Sequence, residues 1–442
     1  MHTRRNRVLA YAGALIGLLA ILTVRQRTRP VAFEDYSVYY LGGTIVLQDA
    51  WSDLYPVPIP NATSHPGWPA GSQMKPAYRQ AAERVGETNP YRYVYPPPSA
   101  VFVAPLAALP PQLALLVWWA LSAVACWVSA LCAAALYRQL TGRRDLAWTL
   151  LLFGIAWCPL TWATVRVGNT SAISGAMVSI VIVGWCMRSN AAAAVGFYLG
   201  GALKFITRPR ALIPVLLRRT HAVVVCAVVA MFLTAAVVAL SGIDPWLEYV
   251  RLLGWLNRPN DWVINLSLHG LIDAVVPAAR APRMAALVQW STWIALGAIV
   301  VGLHRCAWRR DDPRPVLAGA TALLAWLLIF EPTAQNHYYV CLYPLWGYLV
   351  AESRESRPAL FVAVCVIAGT MVPIGGSNRA VPLWLHFHQL GAAIIAMVFG
   401  AVRLYQLGAH DERALVGDQQ HMPSDSAMSS ELLAPGAAGV AS

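Results

Sequence analysis

Apolar runs of about 17 to 27 residues, passing with hardly a charge, constrain this chain more than any other feature. A run of that length spans a hydrocarbon core of ~30 Å as a helix. In lipid every backbone N–H and C=O must be satisfied within the segment, so such runs fold as helices. Composition agrees, with 58% hydrophobic and only 12% charged residues, whereas a soluble domain carries about 25% charged. The fold class expected is all-α, a polytopic transmembrane helical bundle of about 10–12 helices. A cytosolic enzyme, a nucleic-acid-binding module and a secreted disulfide scaffold are excluded.

The net charge of +12 is explained by where the basic residues stand. Arg4, Arg5 and Arg7, then Arg138, Arg143 and Arg144, then Arg218 and Arg219, fall in short segments between apolar runs. The same holds for Arg305, Arg309, Arg310 and Arg314, for Arg354 and Arg357, and for Arg403. This is the positive-inside pattern of cytoplasmic loops, so no nucleic-acid partner is expected. The run Val8 to Val24 is followed by Arg25-Gln26-Arg27 rather than a small-residue cleavage site, which reads as a retained signal anchor with a cytoplasmic amino terminus. Further spans are expected near 111–137, 145–164, 169–187, 221–241, 285–304, 315–331, 337–351, 358–374 and 385–404. The protein then sits in the cell membrane as a multi-pass chain. A single transmembrane catalytic domain covers 1–408, and a disordered cytoplasmic tail runs from 409 to 442. The eight cysteines lie in or beside apolar runs without a CxxC, so neither a disulfide nor a zinc site is implied.

The long polar segments, 25–97 and 242–284, fall on the exterior or periplasmic side, where loops meet the bundle and function is expected. The stretch 190–217 is too long for one crossing and too short for two. Pro209 removes a backbone donor and disfavours helix at Arg208, so a pair of short, broken helices meeting at membrane depth is expected. Irregular backbone at that depth is tolerated against protein or a water-filled cavity; a cavity is the functional reading, and a packing kink in a helical hairpin is the alternative. Lys204 is the one lysine inside an apolar run, and an ionisable residue at membrane depth marks a functional site by default.

Other polar clusters stand at the outer ends of spans. Glu34 and Asp35 precede Tyr36-Ser37-Val38-Tyr39-Tyr40; taken alone, they read as complements of a helix dipole. Tyr91-Arg92-Tyr93-Val94-Tyr95-Pro96-Pro97-Pro98 taken alone reads as an interfacial aromatic belt. Asn169-Thr170-Ser171, Asn265-Leu266-Ser267 and Glu331-Pro332-Thr333-Ala334-Gln335-Asn336-His337-Tyr338-Tyr339 complete the set. Asn61, Asn169 and Asn265 also match the short glycosylation pattern. By itself His337 reads as a cap or an interfacial histidine.

In this order the motifs resemble glycosyltransferase family 87, integral membrane enzymes of GT-C type that use polyprenyl-phosphate sugars. The resemblance covers roughly 30–350. It rests on Asp35 with Tyr39-Tyr40 and Gly42-Gly43, Tyr93-x-Tyr95-Pro-Pro, Gly168-Asn169, Gly200-Gly201-Ala202-Leu203-Lys204, Asn265-x-Ser267-Leu268-x-Gly270 and Gln335-x-His337-Tyr338-Tyr339. It implies a GT-C type bundle and an inverting transfer of mannose or arabinofuranose, from a polyprenyl-phosphate donor to a glycolipid or glycan acceptor at the exterior face. His337 matches the mannosyltransferase branch, while Ala334-Gln335 and Tyr338-Tyr339 look like the arabinofuranosyl branch, so the sugar stays open.

The resemblance makes Asp35 the general base and Lys204 the first choice for the donor phosphate, with His337 and Arg208 behind it. Tyr39, Tyr95, Asn169, Asn265, Gln335 and Tyr338 are the substrate-binding candidates. No cofactor and no metal are expected, since Glu34 neighbours Asp35 directly and points elsewhere on a helix. A transporter or flippase of lipid-linked sugars suits the same length and span count. Ion-coupled transporters, however, place acids and histidines in mid-membrane, and apart from Lys204 these spans carry almost no internal charge.

Overall fold

The structure is a computed structural model that describes residues 35–60, 67–204, 211–256, 265–276, 280–307, 312–331, 334–371 and 382–420. The expected first span Val8–Val24, Glu34, Asn61 and Arg208 lie outside the described residues.

The first polar segment is not an extended loop. It folds into α1 (Asp35–Leu47), a two-residue antiparallel pair of β1 (Val57–Pro58) with β2 (Ser72–Gln73), α2 (Pro76–Arg84) and α3 (Pro97–Ala107). Leu41, Ile45, Tyr55, Tyr78 and Tyr93 form its core. The Tyr78 hydroxyl donates to the Tyr91 carbonyl at 3.0 Å and the Tyr55 hydroxyl to the Tyr95 carbonyl at 2.8 Å. Buried tyrosines thus keep their polar tips satisfied while filling apolar space.

The bundle follows with α4 (Pro111–Thr141), α5 (Leu146–Ala156), α6 (Pro159–Val167), α7 (Ser171–Cys186), α8 (Asn190–Leu203), α9 (Leu212–Leu216), α10 (Thr220–Ser241), α11 (Asp244–Leu256) and α12 (Leu268–Val275). It closes with α13 (Ala281–Arg305), α14 (Pro313–Phe330), a 3₁₀ stretch Asn336–Leu342, α15 (Tyr343–Glu352), α16 (Arg357–Met371), α17 (Leu383–His386) and α18 (His388–Gln420). Proline opens α2, α3, α4, α6 and α14, where its missing N–H costs nothing and its fixed φ suits a first turn. Asp145 caps α5 by accepting from the Ala147 and Trp148 amides at 3.1 and 3.3 Å.

Among the described residues, six helices are long and apolar enough to cross a membrane: α4, the α5–α6 pair, α10, α13 from Ala286, α14, and α18 as far as Ala409. Helix α14 is the central one, with 72% of its most apolar stretch buried, against 6% for α10. An apolar face turned to lipid carries no hydrophobic penalty, so α10 can lie at the rim.

Four expectations change. The span at 145–164 bends at Trp157–Cys158, because Pro159 disfavours helix in the residue before it. The span at 337–351 is a 3₁₀ stretch plus the short α15; Pro344, with no N–H to donate, sits in the first turn of that new helix. The break in 190–217 falls at Lys204, whose backbone is extended (φ −159°, ψ 139°), ahead of Pro209. The last helix continues to Gln420, past the expected boundary at 408.

The arginine-bearing segments meet at one end of the bundle. Arg354 pairs with Asp145, and Arg403 pairs with Glu352. Arg314 lies 3.4 Å from Glu355. Opposite charges here therefore link the starts of α5 and α14 and the end of α15 with the middle of α18. At the other end of α14 lie Glu331 and the 334–339 segment. There Lys75 Nζ, 2.8 Å from Glu248, ties the first polar segment to α11.

Candidate active site

The site forms where the amino terminus of α1, the turn before α7, the carboxyl end of α8 and the 3₁₀ stretch converge. Helix α6 ends on Gly168 with φ +71°, and a Cβ there would lie 2.9 Å from Tyr36 Cβ. Glycine alone reverses the chain at that contact without strain, and the turn delivers Asn169. The Trp118 indole nitrogen donates to the Gly168 carbonyl at 2.8 Å and fixes the turn from behind.

Asn169 Nδ2 donates to Asp35 Oδ2 at 2.7 Å. Its Oδ1 accepts from the Ser171 amide at 2.9 Å, from Ser171 Oγ at 2.7 Å and from Lys204 Nζ at 3.1 Å. Lys204 Nζ also donates to Ser171 Oγ at 2.8 Å and stands 3.3 Å from the centroid of the Tyr338 ring. A carboxylate, an amide and an ammonium thus form one chain of charge-assisted contacts. Lys204 is held inside because the helix breaks beneath it, leaving neighbouring polar groups to replace water.

Asp35 is half-buried at the head of α1. Burial pushes its carboxyl above the ordinary carboxylate range; the Asn169 hydrogen bond and the Lys204 charge oppose that shift, and burial prevails. Behind it stands an aromatic wall. The Tyr39 ring lies 4.6 Å from Tyr95 and stacks on Trp118 at 5.5 Å, and its hydroxyl is 3.0 Å from Thr170 Oγ1.

The remaining predicted residues divide. His337 is buried, its ring 4.9 Å from Tyr338, and its Nε2 has no hydrogen-bond partner among the described residues. Gln335 is half-buried and caps the 3₁₀ stretch in extended conformation. Asn265 does not join the Asp35–Lys204 chain. Its Oδ1 accepts from the Ser267 amide at 3.2 Å, Ser267 Oγ at 2.8 Å and the Ala334 amide at 3.0 Å. The Leu266 amide donates to the Ala334 carbonyl at 2.6 Å, and the Tyr339 hydroxyl donates to the Leu266 carbonyl at 3.2 Å. Asn265 therefore fastens the segment that carries His337 and Tyr338. Ser171 and Trp118 were not among the predicted residues. Ser171 follows a Gly-Asn turn, a readable signal, but a tryptophan within a span gives none. Among the described residues no group of three His, Cys, Asp or Glu could hold a metal ion.

Fold and site together define a class, the polytopic helical membrane proteins that carry a half-buried carboxylate linked through a buried amide to a buried ammonium. The model of glycosyltransferase family 87 matches residues 93–332, just over half of the chain, and the chain belongs to that family. It is a membrane glycosyltransferase. The matched stretch includes Tyr95, Asn169, Lys204 and Asn265, and leaves Asp35, Gln335, His337 and Tyr338 on either side of it. No curated protein matches the chain.

Proposed function

We propose that this glycosyltransferase takes its sugar, mannose or arabinofuranose, from a polyprenyl-phosphate donor and delivers it to a hydroxyl of a glycolipid or glycan on the exterior face of the cell membrane, with inversion. The observation that carries the reading is the Asp35–Asn169–Lys204 chain, which sets a base and a cation on the two faces of one amide. An acceptor hydroxyl titrates far above neutrality and gains from a carboxylate within hydrogen-bond reach. With Oδ2 held by Asn169, Oδ1 of Asp35 takes the proton as the acceptor oxygen bonds the anomeric carbon. The bond from that carbon to the phosphate oxygen breaks, and polyprenyl phosphate leaves with the electron pair. Attack opposite the phosphate inverts the centre.

The leaving phosphate gathers negative charge, and Lys204, with His337 and Arg208, is assigned to hold it. The Lys204 ammonium also stands over the Tyr338 ring, 3.3 Å from its centroid, a soft contact that a phosphate oxygen can replace. Tyr95, Gln335 and Tyr338 are assigned to substrate, whereas Asn169, whose amide is engaged by Asp35, Ser171 and Lys204, is assigned to hold the base and the cation in place. The contacts of Tyr39 and Asn265 favour positioning instead, since the Tyr39 hydroxyl is 3.0 Å from Thr170 Oγ1 and Asn265 Oδ1 accepts from three neighbouring groups. The apolar setting favours a donor whose tail stays in the bilayer.

The test is sugar transfer by the full chain in proteoliposomes, given polyprenyl-phosphate mannose, polyprenyl-phosphate arabinofuranose or nucleotide sugars. Turnover with one of the lipid-linked donors is expected. Equal turnover with a nucleotide sugar and no lipid-linked donor would overturn the donor assignment.

A further inference from the structure

Glu331 stands beside the site without a partner. It caps the carboxyl end of α14, one residue past the apolar stretch, and its amide donates to the Leu327 carbonyl at 2.8 Å. The residue is half-buried, and among the described residues its carboxyl makes no hydrogen bond and no ion pair. Other acids of the fold are paired: Glu352 by Arg403, Asp145 by Arg354 and Glu248 by Lys75. A carboxyl drawn from water without donors is costly, and a buried polar group left open points to a missing partner.

Its place in the cluster follows from the chain and from charge. Ala334, three residues on, is fixed by its bonds to Asn265 and Leu266. Three residues reach about 11 Å at most, so Glu331 stays close to the segment that carries His337 and Tyr338. The charge acting on Glu331 is that of Lys204 and not of Asp35, and Glu331 acts in turn on Tyr338. It therefore belongs to the side of the site assigned to phosphate, away from the base. Lys204 gives its ammonium to Asn169, Ser171 and the Tyr338 ring and does not pair with Glu331. His337 Nε2 is likewise open among the described residues. Burial pushes the Glu331 carboxyl up to about 7 against the Lys204 charge, and in either protonation state it accepts from a hydroxyl.

The chemistry of the donor says which group meets it. The phosphate carries acceptors and negative charge, which Glu331 repels, and the polyprenyl tail carries no polar group. The sugar alone brings O–H donors, and its hydroxyl nearest the phosphate is the one beside the anomeric carbon. We propose that Glu331 accepts a hydrogen bond from the 2-hydroxyl of the donor sugar and selects donors that carry one, an inference that rests on the lipid-linked donor reading above. Mannose and arabinofuranose both carry this hydroxyl. Bonds to it strengthen as positive charge builds at the anomeric carbon, so the contact adds rate as well as specificity.

The experiment compares the full chain with Glu331→Ala and Glu331→Gln in proteoliposomes, each given the lipid-linked donor that the wild type uses and its 2-deoxy counterpart. With the 2-hydroxyl present, Glu331→Ala is expected to lower kcat/KM about 10- to 100-fold. With the 2-deoxy donor the three proteins should agree within about twofold. Glu331→Gln keeps the shape and an acceptor oxygen and should fall between, and it carries the test should Glu331→Ala fail to fold. Equal losses on both donors would make Glu331 a support for Lys204 or for the fold and overturn the proposal alone, as would wild-type rates in both variants. A loss that disappears with a deoxy acceptor instead would move the contact to the acceptor and also overturn it. No wild-type turnover with any lipid-linked donor would overturn the donor reading and this proposal with it.

Discussion

Asp35 and Lys204 share one partner, the Asn169 amide, whose nitrogen donates to Asp35 Oδ2 at 2.7 Å and whose oxygen accepts from Lys204 Nζ at 3.1 Å. Charge logic fixes that amide orientation. The reverse flip would set an oxygen against a carboxylate and an NH₂ against the ammonium and the Ser171 amide. Asn169 thus holds base and cation apart while keeping each aligned, and neither can move without breaking a charge-assisted bond.

Removing this bridge should cost rate more than affinity. Hydrogen bonds to charged groups contribute about 1.5–3 kcal/mol, so Asn169→Ala is expected to lower kcat roughly 10- to 100-fold. Asn169→Asp should do worse, since it sets a second carboxylate against Asp35. Initial rates on monodisperse protein check both, and an Asn169→Ala enzyme with wild-type kcat would remove the amide from the mechanism.

The pH profile follows from the raised Asp35 carboxyl. A general base works ionised, so activity should rise with pH through an acidic limb lying above the ordinary carboxylate range, because burial prevails over the Asn169 bond and the Lys204 charge. Lys204→Met removes one of the two opposing influences and should move the limb to still higher pH. In Asp35→Asn the limb should vanish with a loss of about 10²- to 10⁴-fold. A Lys204→Met limb shifted to lower pH would contradict the coupling.

Gly168 permits a paired test of strain against crowding. Gly168 and Gly142 have nearly equal positive φ, +71° and +69°, but a Cβ at Gly142 meets nothing within 4 Å, whereas one at Gly168 runs into Tyr36 Cβ. Each substitution by alanine should cost about 1–2 kcal/mol for the left-handed backbone. Gly168→Ala should add a clash and displace Asn169. Thermal unfolding should show a larger drop in Tm for Gly168→Ala, and kcat should fall only there.

How much of this was legible depends on whether the signal was local. The lengths of apolar runs located α4, α10, α13, α14 and α18, because a lipid-spanning helix must be long and uncharged. Lys204 stood out for the same reason, as a charge where none belongs. In the first polar segment the stretch from Asp35 to about Leu47 reads as compatible with a helix, and α1 is found there, whereas α2 was hidden. Helix α2 does bury one stripe, Tyr78, Ala81 and Ala82, but two of the three are small residues among charged neighbours, so little in the composition of its nine residues marks a core-facing helix. Asp35, Asn169, Lys204 and Tyr338 are separated by long stretches of chain, and only the order of motifs, through family resemblance, linked them in advance. The bridging role of Asn169 and the support from Trp118 are matters of distance and angle that residue order does not carry. The same holds for Asn265, for which motif matching proposes a substrate contact and the bonds its oxygen accepts from the Ser267 and Ala334 amides propose a positioning role.

That difference is testable at Asn265 itself. Asn265→Ala would leave the buried Ser267 and Ala334 amides without their acceptor, and each buried donor left unsatisfied costs about 1–3 kcal/mol. A lower Tm is expected, together with a looser 334–339 segment, and so weaker alignment of His337 and Tyr338. Asn265→Asp keeps an acceptor oxygen in nearly the same place and should restore most of the Tm and most of the rate. A residue that touched the sugar or phosphate directly would behave otherwise: the aspartate would repel an anionic donor and raise KM while the Tm stayed high. Measuring Tm, KM and kcat for the two variants side by side therefore separates positioning from contact, and an Asn265→Asp enzyme with full stability but a greatly raised KM would return Asn265 to the substrate.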